Sequence, residues 1–130
     1  MKKLFLILLL GIFAYGVDYI KQGDAQYANG NFDKAIELYT QAISKNPNNC
    51  TAYNNRGLVY YERKDYKSAI RDYSAAIAKQ PNCLGTIINR GVSYSRIGDY
   101  KNASIDARKA CALGDCELLD MLKKNGILVN

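Results

Sequence analysis

An all-α solenoid of three helix hairpins closed by a C-terminal capping helix is the fold class that the sequence predicts, and three observations predict it. The first is a repeat: Gly23, Gly57 and Gly91 are separated by 34 residues and again by 34, and a fixed period of this size is the mark of stacked structural units. The same period returns at Ala35, Ala69 and Ala103, at Ala42, Ala76 and Ala110, at Phe32, Tyr66 and Tyr100, and at Pro47 and Pro81. Five independent columns exceed chance. The second is periodicity inside a unit, where Tyr66, Ala69, Ile70, Tyr73, Ala76 and Ile77 recur at the i, i+3, i+4, i+7 spacing of one helix face. The third is punctuation by asparagine, aspartate and proline at the ends of those periodic runs.

Each element follows from the repeat. First helices carry Gly23, Gly57 and Gly91; in the middle unit Tyr53, Gly57 and Tyr60 share one face. Asn31, Asp65 and Asp99 stand just before the second helices, where a side-chain oxygen accepts from an early backbone amide. Pro47 and Pro81 end those helices, and Asn48, Asn49 and Asn82 supply the turn into the next unit. Gly57 with Ala76, and Gly91 with Ala110, are expected to mark the close approach of the two helices of a hairpin while tyrosines and isoleucines fill the wider gaps. After Cys116, residues Glu117 to Gly126 read as a helix closed by a C-terminal glycine, covering the open end of the stack. Seven helices are expected.

The set Tyr53, Gly57, Tyr60, Tyr66, Ala69, Tyr73, Ala76 and Pro81 resembles the signature of the tetratricopeptide repeat, over Val17 to Asp115 in three units: 17–49, 50–83 and 84–115, with residues 116–130 as capping helix and tail. The departures fall in the outer units: Gln26 and Ile87 at aromatic places, Ala107 at a later one, and Gly114-Asp115 for the terminal Asn-Pro. The resemblance implies a right-handed solenoid whose stacked first helices line a concave groove for a peptide or another protein. It places Lys21, Asp24 and Tyr27, then Asn54, Asn55, Leu58 and Tyr61, then Ile88, Asn89, Val92 and Arg96 on that groove. Asn55 and Asn89, 34 apart, would form a ladder of amides offering donor and acceptor to an extended backbone, and Tyr27 and Tyr61 would add flat contact area. The charged clamp with which some cytosolic members hold a chaperone's C-terminal carboxylate does not transfer, because only Asn55 matches it while Ile20, Asp24, Gly85 and Asn89 occupy the other places.

The N-terminus has its own pattern. Lys2 and Lys3 precede an uncharged, leucine-rich run, with Ala14 and Gly16 at the spacing of a signal-peptidase site. Too short to span a bilayer core comfortably, residues 1–16 are expected to be a cleaved signal peptide, making the protein periplasmic or secreted and membrane-bound only before cleavage; an uncleaved N-terminal anchor is the competing reading. In an oxidising compartment Cys50, Cys83, Cys111 and Cys116 become candidates for disulfides. Four cysteines allow three pairings, and burial as small apolar residues is the other reading. Antiparallel packing would return Cys50 and Cys83 to one end of the stack, and a tight reversal at Gly114 would bring Cys111 to Cys116, so these two bridges are expected. Residues Lys109 to Cys116 also resemble the cysteine-rich, tetratricopeptide-related repeats of some secreted bacterial proteins.

The function classes left open are few. Without histidine or tryptophan, histidine general-base catalysis and histidine metal sites are excluded. The cysteine spacing lacks a Cys-x-x-Cys pair, so no metal or other cofactor is expected. A formal charge of +6 has no basic cluster beyond Lys2-Lys3 and Lys123-Lys124, so no nucleic-acid partner is expected. Asp33, Glu37 and Asp72 lie at helical spacing and read as surface charge, not as catalytic carboxylates. β-Lactam binding or hydrolysis, implied by the cysteine-rich resemblance, finds no Ser-x-x-Lys, Ser-Asp-Asn or Lys-Thr-Gly, and no enzyme is expected. What is expected is a monomeric scaffold that binds a peptide or protein in its groove. The alternative is a subunit of an envelope complex offering its convex face, with Lys34, Glu37, Lys67, Arg71, Asp72, Lys101 and Asp106.

Overall fold

Each predicted hairpin is present in the computed structural model, which describes residues 18–127. The helices are α1 (Tyr19–Ala28), α2 (Phe32–Lys45), α3 (Cys50–Glu62), α4 (Tyr66–Lys79), α5 (Leu84–Arg96), α6 (Tyr100–Ala112) and α7 (Glu117–Lys124), and no strand occurs among the described residues. The expected signal peptide lies outside them. Every helix packs on the next, and α1 also touches α3, α3 touches α5 and α5 touches α7. The first helices therefore form one row.

Capping explains the boundaries. Asp18, Asn49, Asp65 and Asp99 each accept a hydrogen bond from the backbone amide three residues on, at 3.0 to 3.2 Å, which satisfies one of the amides that a helix start leaves without a partner. Asn31 departs from its expected role: its Nδ2 donates to Gln26 Oε1 at 2.8 Å, and it makes no side-chain cap bond. Within each hairpin the first helix closes on a left-handed residue, Gly30, Lys64 or Gly98, followed by a bond from the next amide back into the helix (Asn31 to Gln26, Asp65 to Tyr60, Asp99 to Tyr94, 2.8 to 2.9 Å). Between hairpins the chain leaves α2 and α4 through Asn46 and Gln80, each followed by proline, which cannot continue the helix.

The core is built from the repeat columns. Ala35, Ala69 and Ala103 are fully buried, as are Tyr39 and Tyr73. The close approach at the glycines has a different partner from the one expected. A Cβ at Gly57 would stand 2.8 Å from Tyr73 Cε1, and one at Gly23 would stand 2.6 Å from Tyr39 Cε1; the tyrosine rings, not Ala76, lie on the glycines. In the third unit Ala107 replaces the tyrosine, and Leu118 from α7 fills the space, 2.7 Å from a Cβ at Gly91. Leu118 and Leu122 form one cluster with Ala103 and Ala107. The cap thus supplies the bulk that the last repeat lacks.

Cys111 and Cys116 are disulfide-bonded, tying α6 to α7 across Gly114 at φ 109°. Cys50 and Cys83 are not paired, which corrects the expected bridge. They open α3 and α5, equivalent helices one repeat apart, and packed helices lie about 8–10 Å apart, beyond the Cα separation of about 4.4–6.8 Å that a bridge needs. Cys83 Sγ instead shares a hydrogen bond with Thr86 Oγ1 at 3.1 Å.

Candidate functional site

Two aspartates expected on the convex surface are buried instead. Asp72 and Asp106 are 4% and 3% exposed, and each is held by an arginine of the preceding helix through two parallel bonds. Arg56 Nε and Nη2 donate to Asp72 at 2.8 Å each, and Arg90 Nε and Nη2 donate to Asp106 at 2.8 and 2.7 Å. The third edge of each guanidinium reaches the previous unit, Arg56 Nη1 to Thr40 Oγ1 at 2.9 Å and Arg90 Nη1 to Ser74 Oγ at 3.2 Å. These bonds raise the arginine pKa against the opposing effect of burial. Arg56 also lies over the Tyr53 ring and Arg90 over Tyr94. The sequence carried the signal: Arg56 and Arg90, Asp72 and Asp106, and Thr40 and Ser74 are all 34 apart. The first unit replaces arginine and aspartate together, with Gln22 and Leu38.

The groove is formed by the exposed faces of α1, α3 and α5. Over the first unit it is self-satisfied. Tyr39 Oη donates to Asp24 Oδ1 at 2.6 Å, and Asn55 Nδ2 donates to the same oxygen at 2.9 Å. Burial, followed by the bond to Asp24, pushes the Tyr39 phenol pKa well up. Asn55 therefore does not stand free as a rung of a ladder; its oxygen also accepts from Asn54 Nδ2 at 3.3 Å. Asn54 in turn accepts from Thr86 Oγ1 at 2.9 Å, joining α3 to α5. Tyr27 stacks on Phe32 with ring centres 5.8 Å apart, and burial, then Glu62, raises its pKa. Lys21 is exposed on α1.

Over the second unit the same positions are chemically different. Leu58 stands where the first unit has Asp24, and Asn89 where it has Asn55. Together with Tyr61, Glu62, Tyr73 and Val92 they line a cleft of about 190 Å³ between α3 and α5. Tyr73 Oη, the counterpart of Tyr39 Oη, is buried with no hydrogen-bond partner among the described residues. Desolvation pushes its pKa up, and Tyr61, Tyr27, Asp72 and Glu62 add to the shift. Tyr61 packs edge-on against Tyr66, and its hydroxyl accepts from Arg96 Nε at 3.0 Å on the rim. Ile88 lies one cleft further, where α5 meets α7 beside Val92, Leu118 and Met121. The structure thus puts Leu58, Tyr61 and Asn89 around one cleft, joins Arg96 to it only through the Tyr61 hydroxyl, and sets Lys21, Tyr27 and Ile88 apart from it. Among the described residues no cluster of potential ligands could hold a metal ion.

Residues 20–82 match the family model of the tetratricopeptide repeat. No curated protein matches the chain in sequence. Among solved structures, the tetratricopeptide domain of Arabidopsis OM64 is 27% identical, with a TM-score of 0.75, covering 82% of this chain and 89% of its own. The Sgt2 tetratricopeptide domain from Aspergillus fumigatus is 26% identical with a TM-score of 0.74, covering 83% and 74%. The second tetratricopeptide domain of human RPAP3, in complex with the HSP70 peptide SGPTIEEVD, shares the fold at 23% identity and a TM-score of 0.77, covering 86% and 95%. Residues 20–82 thus carry the tetratricopeptide repeat, and the fold of tetratricopeptide domains extends over about four-fifths of the chain.

Proposed function

We propose that the protein is a binding scaffold, not an enzyme, and that it holds an extended segment of a partner polypeptide in the groove of α1, α3 and α5. The observation that carries this reading is the cleft lined by Leu58, Tyr61, Tyr73, Asn89 and Val92, in which apolar walls surround a few convergent polar groups, the usual make-up of a recognition site. The human RPAP3 domain takes a peptide ending in EEVD, and a scaffold role is the shared element. A carboxylate-terminal tail is a poor ligand here, because Asp24 puts a carboxylate beside the one matching clamp residue and holds its amide at 2.9 Å. Affinity in the micromolar range is expected, since a short groove must order a flexible peptide.

Export of the chain after removal of residues 1–16 is part of this proposal. It rests on the charged, leucine-rich start and on the Cys111–Cys116 bridge, a bond that persists in oxidising compartments. N-terminal sequencing of the protein from its native source should begin at Val17; Met1 as the first residue would refute cleavage. Selection of a random peptide library displayed on phage should enrich sequences that bind the wild-type protein and fail to bind the Leu58→Lys, Val92→Lys double variant. Enriched peptides indifferent to that variant would move recognition off the groove.

A further inference from the structure

The first two units present the same tyrosine to the groove in two chemical states. In the first, Tyr39 Oη and Asn55 Nδ2 converge on one oxygen of Asp24, at 2.6 and 2.9 Å. In the second, Tyr73 Oη is buried without an acceptor, the Asn89 side chain makes no hydrogen bond among the described residues, and Leu58 occupies the position of the aspartate. A buried hydroxyl without a partner is rare in native proteins and calls for a reason. Tyr73 is fixed in place by its ring, which lies against Gly57. Its hydroxyl therefore cannot turn away to find solvent.

We propose that the cleft between α3 and α5 takes the side-chain amide of an asparagine or glutamine from the bound peptide, whose carbonyl oxygen accepts from Tyr73 Oη and from Asn89 Nδ2 as Asp24 does in the first unit. This deepens the peptide-binding reading and rests on it. The size fits: about 190 Å³ accommodates one side chain, not a folded element. The charge selects the amide over a carboxylate, because the Glu62 carboxylate lines the same cleft and like charges brought together out of water repel. The amide NH₂ group, by contrast, is a donor for Glu62 or for Asn89 Oδ1. Leu58 and Val92 supply the apolar walls that exclude water from the contact. In the free protein the hydroxyl is sealed from solvent, so entry requires a wall side chain to change rotamer, a fast motion for half-buried groups such as Leu58 and Tyr61.

The test uses N-acetylglutamine methylamide as the probe, followed by NMR on isotope-labelled protein, with the glutamate and methionine analogues at the same concentrations at neutral pH. The glutamine probe should give saturable shifts at Leu58, Tyr73 and Asn89 in the millimolar range expected of so small a molecule, and the two analogues should bind several-fold more weakly. Tyr73→Phe should weaken the glutamine probe about tenfold, the value of one hydrogen bond, while Tyr39→Phe should leave it unchanged. The same variants report on the free protein. Tyr73→Phe should melt at or above the wild-type temperature, because it removes a hydroxyl with no partner, and Tyr39→Phe should melt below it. Equal binding of the three probes, tighter binding of the glutamate analogue, or a lowered melting temperature for Tyr73→Phe, as a hydroxyl satisfied by bound water would give, each overturns the assignment. Groove-dependent peptides from the phage selection that lack asparagine and glutamine would also overturn it while leaving the peptide-binding reading intact. A glutamine probe that binds, with no groove-dependent peptide recovered, would do the reverse.

Discussion

Lys64 sits at φ 61°, in the left-handed region, at the position filled by Gly30 and Gly98 in the flanking units. A side chain there crowds the following carbonyl, at a cost of about 1–2 kcal/mol, so Lys64→Gly should stabilise the protein by about 1 kcal/mol once the added freedom of the unfolded chain is deducted. Chemical denaturation should show a raised midpoint with an unchanged slope; an unchanged midpoint would mean that the turn carries no strain. Gly57 acts in the opposite sense. Gly57→Leu drives a side chain into the Tyr73 ring, which lies 2.8 Å from the Cβ position, and should cost at least about 1–3 kcal/mol, visible as a lower melting temperature by circular dichroism. The need for glycine was legible from the repeat, but its partner was not. Spacing says which residues share a face, whereas the reach and tilt of a long side chain decide what covers a given spot; hence the ring of Tyr73, and not Ala76, meets Gly57. The bond from Asn55 to Asp24 was not legible for a similar reason, since it joins two helices whose distance no sequence pattern supplies.

Between elements, the Arg56–Asp72 and Arg90–Asp106 pairs lock each hairpin and tie it to the one before through Thr40 and Ser74. Half the information was in the sequence, as the 34-residue recurrence of all three residue types; the rest required knowing that a charged position on a second helix faces inward. A lone aspartate at helical spacing is usually solvated, and only its arginine at the matching place in the helix before argues otherwise. Removing one partner strands the other: Asp72→Ala should cost about 3–5 kcal/mol. The first unit does without the pair by holding Gln22 and a buried Leu38. Importing that solution, with Arg56→Gln and Asp72→Leu together, should recover much of the loss, because replacing both charges removes the desolvation cost with them. Thermal melts of the two variants beside the wild type decide it; a double variant as unstable as Asp72→Ala would mean that the bond to Thr40, not the compensation of charge, is what the hairpins need.

For the whole molecule, a solenoid is stable when each unit has a neighbour to cover its open face, and the last unit here has only α7. The number of helices, their order and the capping role of α7 were readable from periodicity and from the closing Gly126. What was not readable is how the cap works, because Leu118 compensates for Ala107 across 11 positions and no local pattern links them. Leu118 lies over Gly91 and in one cluster with Ala103, Ala107 and Leu122, so it takes the place that Tyr39 and Tyr73 hold in the first two units. The disulfide from Cys111 to Cys116 secures the same helix by a different means. It closes a very short loop, for which chain-entropy estimates give about 2 kcal/mol, whereas Leu118→Ala opens a cavity beneath the cap at about 2–5 kcal/mol. If packing and not tethering makes α7 a cap, Leu118→Ala should destabilise the protein more than the Cys111→Ser, Cys116→Ser double variant does, and its amide exchange should quicken first in α7, then in α5 and α6, and least in α3 and α4. A serine variant that loses more stability than Leu118→Ala, with exchange rising evenly along the chain, would make the covalent tie the dominant element and reduce the leucine to filler.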